Sequence, residues 1–349
     1  MQNNSEAHTT LLTATTELTP QAAKDLLHDA YGLACQTVKR LAGERDDNFK
    51  VDTTNGTFFL KVAHSAEEPE ITAFQTDALL HLESQAPDLP VPRVIPTLDG
   101  KHEFTVTDMG TTRRGRLTTF MQGEPFDGLA TTANLRKSIG GSLARLTLAM
   151  SSFSHPAADQ LELLWDIGRA SSLREIVGTL HDPGMRASLM KGIDDFDARI
   201  LPRLQPLRQQ IVHGDFTANN LMRDAAGERV TAILDFGDMT RSQMINDLVI
   251  AAAYELKPTG DLLAPALDVI AGYHAVLPLR PEEIDILFDL ILTRTVLRLA
   301  ITEWRAERFP ENRDYVLRNN ARTWQVLDRL RSIPRELAQK EILTVCKAA

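Results

Sequence analysis

Cysteine is scarce in this chain of 349 residues: Cys35 and Cys346 are the only two, and they stand near opposite ends. A disulfide framework and a cysteine-built zinc site are both excluded, and a reducing compartment is the simpler setting. Basic charge is also short. Lys and Arg number 38 against 47 Asp and Glu, so the formal charge is -9 and the broad positive field used to bind nucleic acid is missing. No apolar run approaches the roughly 20 residues that a membrane span needs. The first 23 residues hold no Lys or Arg and no apolar core, unlike a signal or transit peptide. These absences predict a soluble cytoplasmic protein with no nucleic-acid and no membrane partner.

What is present is globular in character. Hydrophobic residues make up 43% and charged residues 24%, enough apolar material for a sizeable core, and the length suggests about two compact units. Residues 1–18, rich in Thr, Asn and Ala, are predicted to be a flexible terminus. Thr19 before Pro20 fits the start of a helix that Gly32 stops. Between Val38 and Val62 the pattern alternates, with Asn55-Gly56 as a tight hairpin turn. Ile71 to Leu82 reads as a helix, Pro87, Pro90, Pro92 and Pro96 mark a stiff connection, and strands follow around Phe104–Met109 and Arg116–Met121.

After Gly123 the chain turns helical, with segments near Leu135–Phe153, Leu161–Leu180 and Ile284–Ala306 and one strand-like stretch between Ile211 and Phe236. The predicted class is α+β, with a smaller N-terminal sheet region over 19–123 and a larger, mostly α region over 124–349.

Chemistry concentrates in Ile211-Val212-His213-Gly214-Asp215, with Asn220 five residues after the Asp, and in the strand Val230–Leu234 that runs into Asp235-Phe236-Gly237. Phosphoryl transfer asks mainly for a carboxylate at the acceptor hydroxyl and oxygen ligands for Mg²⁺ on the phosphates. Asp215, Asn220 and Asp235 supply those groups, twenty residues separating the two carboxylates. His213, beside a strand, reads as a scaffold rather than a base.

This combination resembles the aminoglycoside phosphotransferase and choline kinase superfamily, whose fold is related to protein kinases. The resemblance implies a bilobal kinase-like fold, with Asp215 taking or orienting the proton of the attacking hydroxyl and Asn220 and Asp235 holding Mg²⁺. Asp247, in Asn246-Asp247-Leu248, matches the Asp that braces the catalytic loop. Lys61, in Phe58-Phe59-Leu60-Lys61-Val62, would meet the α and β phosphates of ATP or GTP. Its carboxylate partner is open among Glu67, Glu68 and Glu70; Glu70 is preferred, and Gln75 stands where many relatives have Glu. The loop from Gly43 to Phe49 has a single glycine and no G-x-G-x-x-G. The segment from Leu117 to Gly123 resembles the hinge, where Thr119, Phe120 and Met121 would border the base.

Within the superfamily, Asp46-Asp47-Asn48-Phe49, the run from Arg116 to Phe120, Phe153-Ser154-His155-Pro156 and Trp165-Asp166 look most like the hydroxylysine kinase branch. That branch implies an acceptor bearing both ammonium and carboxylate groups. Arg294 interrupts an apolar helical run, so its charge needs a partner, either a substrate carboxylate or an internal acid such as Asp247. Trp165, Asp166, Asp238 and Tyr254 are the other candidates for lining the acceptor pocket. The alternatives are a homoserine, choline, ethanolamine or aminoglycoside kinase, or a nucleotide-binding module without turnover. No Ala-Pro-Glu element lies between Asp235 and Asp247, which argues against a protein kinase.

Overall fold

The computed structural model describes residues 17–43, 46–108, 111–126 and 130–348. Outside them lie the expected flexible terminus as far as residue 16, Glu44 and Arg45 of the loop before the hairpin, and Met109 at the end of an expected strand. Two compact units divide the chain between Gln122 and Gly123.

In the first unit the cap signals act as the sequence suggests. The Thr19 hydroxyl accepts the Ala22 N–H at 3.2 Å, and the Gly32 N–H closes on the His28 carbonyl, so helix α1 spans Pro20–Tyr31. Leu18, just ahead of this helix, is buried and its N–H reaches Asp47 at 3.0 Å. Six strands then form one antiparallel sheet: β1 (Cys35–Leu41), β2 (Asp47–Thr53), β3 (Gly56–Val62), β4 (Val94–Ile95), β5 (Phe104–Asp108) and β6 (Thr111–Thr119). Helix α2 (Pro69–Gln85) joins β3 to β4. The strand order is β1-β2-β3-β6-β4, and β5 also pairs with β6.

The hairpin turns at Thr54-Asn55 rather than at Asn55-Gly56. Thr53 pairs with Gly56, and its hydroxyl accepts the Asn55 N–H and donates to the Gly56 carbonyl, which draws the turn back by one residue. Ala23, Leu27 and Tyr31 of α1 pack on Phe49, Val51, Leu60 and Leu117 of the sheet. The Tyr31 hydroxyl accepts the Leu117 N–H at 3.2 Å, so the buried ring keeps a partner for its polar end.

The second unit is mostly helical. Its helices are α3 (Ala133–Ala149), α4 (Leu173–Gly178), α5 (Pro183–Asp195), α6 (Leu201–Leu204), α7 (Ile245–Tyr254), α8 (Ala264–His274), α9 (Pro281–Arg308), α10 (Arg313–Leu317), α11 (Asn320–Ser332) and α12 (Arg335–Ala348). Two antiparallel pairs sit among them, β7 (Gln209–Val212) with β10 (Thr240–Gln243) and β8 (Leu221–Arg223) with β9 (Val230–Ile233). An antiparallel sheet followed by a helical unit is the expected α+β class.

Helices α3 and α8 cross so closely that only glycine fits at the contact. A Cβ on Gly140 would fall 1.9 Å from the Val269 carbonyl oxygen, and one on Gly272 would fall 2.0 Å from that of Lys137. The expected long helix from Leu161 to Leu180 is instead broken. Asp166 caps a 3-10 turn over Ile167–Ser172 by accepting the Gly168 N–H, and α4 starts only at Leu173. Among the described residues no helix is long and apolar enough to cross a membrane.

Candidate active site

The loop after β7 is held from behind by one buried carboxylate. Asp247, in the first turn of α7, accepts the His213 N–H at 2.7 Å and the Gly214 N–H at 2.9 Å. Burial pushes its carboxyl above the usual range, and these two donors oppose that shift. Gly214 has φ +81°, and a Cβ there would lie 2.0 Å from the Asp238 carbonyl oxygen, so the chain passes this point only as glycine.

His213 joins the loop to the end of the β8–β9 hairpin. Its Nδ1 accepts the Asp215 N–H at 3.3 Å, which leaves Nε2 to carry the proton and donate to the Leu234 carbonyl at 3.0 Å. The ring lies between Phe216 and Phe236, with centroids 5.6 and 5.0 Å away. Both ring nitrogens are therefore spent on hydrogen bonds that join the loop to the hairpin.

Asp215 and Asn220 meet across one short turn. The Asn220 amide donates to the Asp215 carboxylate at 2.7 Å and to its backbone carbonyl at 3.0 Å. Both amide hydrogens are thereby used, and the amide oxygen is left as an available ligand. Burial raises the Asp215 carboxyl; the Arg294 guanidinium pulls it back down, and the nearby Asp235 carboxylate pushes it up.

Asp235 follows β9 and is exposed, with φ +55°, the one non-glycine residue in the left-handed region among those described. That backbone is held by the Gly237 N–H, which donates to the Asp235 carboxylate at 3.1 Å. Two carboxylates that repel each other, beside an amide oxygen on the same loop, form a hard oxygen donor set. Such a set fits a divalent cation of the Mg²⁺ type.

The first unit carries the phosphate-contact candidate. Lys61 Nζ lies 2.9 Å from Asp46, which also accepts the His64 N–H at 2.9 Å. The expected pair of Lys61 with Glu70 does not form. Glu70 is exposed in the first turn of α2, and Gln75 further along that helix is buried and neutral, its carbonyl taken by Arg116 at 2.9 Å. With no carboxylate at that register, the lysine turns to Asp46, just ahead of β2. Of the expected hinge residues, Thr119 bonds Arg93 through its backbone N–H and its hydroxyl. The Phe120 N–H is spent on the Thr57 carbonyl and its ring lies 5.2 Å from Lys50 Nζ, while Met121 is half-buried.

A cavity of about 660 Å³ lies wholly within the second unit and reaches the loop of Asp215 and Asn220 at Ala218 and Asn219, the residues just before Asn220. Tyr254 and Arg294 are among its lining residues. Trp165 and Asp238 stand behind Arg294 instead: the guanidinium lies 5.5 Å from the indole centroid and donates to the Trp165 carbonyl at 2.9 Å, and Asp238 acts on it electrostatically. Asp166 is a correction. Its carboxylate is held by Gly168, Ser242 and Asn246 as a cap and does not line this cavity. The sequence reading missed Arg298, Glu255 and Arg322 on the cavity wall. Arg298, one helical turn after Arg294, had a signal in that spacing; the other two had none, since they join the wall only through tertiary packing.

These features define a phosphotransferase of kinase-like fold. The chain belongs to the phosphotransferase enzyme family, which it matches over residues 37–283, and it is a small-molecule kinase with an alcohol group as acceptor. It is 25% identical to the hydroxylysine kinase of Xenopus laevis over 347 residues, covering 93% of this chain and 92% of that one. It is also 26% identical to a homoserine kinase of Mesorhizobium japonicum over 249 residues, covering 69% and 72%. Among solved structures, the amicoumacin kinase hAmiN, in complex with AMP-PNP, Ca²⁺ and Ami, superposes with a TM-score of 0.65 at 15% identity, covering 97% and 96% of the two chains.

Proposed function

We propose that the chain transfers the γ-phosphoryl group of ATP or GTP to the side-chain hydroxyl of a small hydroxylated amino acid or amine in a cytoplasmic setting, with hydroxylysine as the first acceptor. The observation that carries this reading is the Asp215–Asn220 pair, on a loop anchored by Asp247 whose Ala218 and Asn219 line a cavity large enough for such an acceptor. Asp215 accepts the proton as the hydroxyl oxygen bonds to the γ-phosphorus. The bond from that phosphorus to the bridging oxygen breaks, and the nucleoside diphosphate leaves. Asn220 and Asp235 would hold Mg²⁺, which neutralises charge on the phosphates when bound. Lys61 would leave Asp46 for the α and β phosphates, with Thr119, Phe120 and Met121 bordering the base. The hydroxylysine kinase relative supports the acceptor, and the homoserine kinase relative makes homoserine the second candidate.

The test is release of nucleoside diphosphate from Mg-ATP and Mg-GTP in parallel, across hydroxylysine, homoserine, choline, ethanolamine and an aminoglycoside. Asp215→Asn should lower kcat by about 1,000-fold while nucleotide still binds. Stimulation by hydroxylysine alone supports the whole reading, and stimulation by another acceptor corrects only the substrate. Retained turnover in Asp215→Asn removes the role given to that carboxylate.

A further inference from the structure

The cavity beside the catalytic loop has an unbalanced wall. Lys257, Arg294, Arg298 and Arg322 face it against a single acid, Glu255, and that acid is already engaged by the Thr131 hydroxyl. Arg294 is buried at 5% exposure, and its Nε has no hydrogen-bond partner. Arg298, one turn further along α9, lies 5.1 Å from the Tyr254 ring centroid. Among the described residues no carboxylate stands within ion-pair distance of Arg294, Arg298 or Arg322. A buried guanidinium is retained at a large desolvation cost unless something anionic meets it. Here the aromatic rings of Trp165 and Tyr254 lie against the two cations, while Asp215 and Asp238 act on Arg294 from beyond ion-pair distance and leave its Nε unbonded.

We propose that Arg294 and Arg298 form a carboxylate anchor in this cavity, so that the enzyme selects hydroxylated amino acids over hydroxylated amines that lack a carboxyl group. The inference rests on the kinase reading above and narrows its substrate class. Guanidinium groups suit the task because their planar N–H forks match the two oxygens of a carboxylate. Anchored there, the acceptor has its carboxylate on α9, and its hydroxyl reaches the catalytic loop at the Ala218-Asn219 end of the cavity. Choline, ethanolamine and aminoglycosides offer this wall only further positive charge.

The experiment compares hydroxylysine with the diamino alcohol left when it loses its carboxyl group, and homoserine with its own decarboxylated alcohol. kcat/KM is measured in the full-length wild type, Arg298→Gln, Arg298→Lys and Arg294→Lys, and binding of the same four compounds is measured by calorimetry. Wild type should favour the carboxylated member of a pair by about 10- to 100-fold. In Arg298→Gln that ratio should fall towards one, through KM rather than kcat, with partial recovery in Arg298→Lys. The conservative Arg294→Lys keeps a buried cation and should lower the ratio less than Arg298→Gln. Equal losses on both members of a pair, with the ratio intact, would overturn the anchor and assign the arginines to phosphoryl transfer or folding. Turnover of the decarboxylated amines as good as that of the amino acids in wild type would also overturn it while leaving the kinase reading in place. Carboxylate-dependent binding without turnover would support the anchor and remove the proposed reaction; no carboxylate preference in either measurement removes the anchor.

Discussion

Around Asp215 the polar groups are met by partners close at hand: Asn220 from five residues on, His213 from two residues back, and Asp247 behind them on α7. On the nearby cavity wall, Arg294 and Arg298 have rings and a carbonyl for company and, among the described residues, no carboxylate within ion-pair distance, Asp215 acting on Arg294 from further off. The first region is closed by its own hydrogen bonds; the second holds the cations on which the proposed anchor rests. The contrast separates the reaction from the choice of acceptor. A loop closed by its own hydrogen bonds fixes how Asp215 and Asn220 face each other, while a cation-rich wall sets the charge that the proposed anchor would take.

Four changes break or sharpen that contrast, beginning with the largest. Asp247→Ala leaves the buried N–H groups of His213 and Gly214 without an acceptor and should lower unfolding stability by about 2 to 5 kcal/mol. Urea unfolding reads it as a lower midpoint at an unchanged slope, and an unchanged midpoint would show that the brace is not structural. Gly214→Ala should keep the fold but displace Asp215, lowering kcat by about 100-fold in steady-state assays. Near-normal kcat would mean that the Asp238 carbonyl yields to the added methyl.

Asp235→Gly should abolish turnover yet raise stability by about 1 kcal/mol, because glycine relieves the left-handed backbone and ends the repulsion with Asp215. A lower thermal midpoint would show that the strain argument fails there. Glu70→Gln should be nearly silent, changing stability by less than about 0.5 kcal/mol and leaving the KM for nucleotide alone. A marked rise in that KM would restore the pair with Lys61 that the structure replaces by Asp46.

The same contrast explains what could be read from the chain alone. His213, Asp215 and Asn220 lie on one short segment, and Asp235 ends the next hairpin, so their relation is local and the spacing displays it. Helix α1 was readable for a similar reason, since Thr19 and Gly32 cap it from within the segment. Apart from the hairpin turn, which the neighbouring Thr53 hydroxyl draws back by one residue, the failures are long-range. Leu161–Leu180 looked continuous because the bonds that hold Asp166 come from Ser242 and Asn246, far along the chain. Lys61 was given the wrong acid because the helix register at Gln75 carries no charge, and Asp46 reaches the lysine across the β2–β3 pairing. Arg322 and Glu255 join Arg294 only through the packing of α7, α9 and α11, which no local pattern announces.

Asp47 also sets how far the chain can be shortened. Its carboxylate gathers the Leu18 N–H, Arg40 of β1 and Arg113 of β6, so the residue ahead of α1 is tied to both the edge and the interior of the sheet. A chain trimmed to begin at residue 17 keeps that knot and the Thr19 cap. One that begins at residue 21 loses the cap, the buried Leu18 side chain and one of the donors on Asp47 together, and proteases should find the sheet unit open where they previously found it closed.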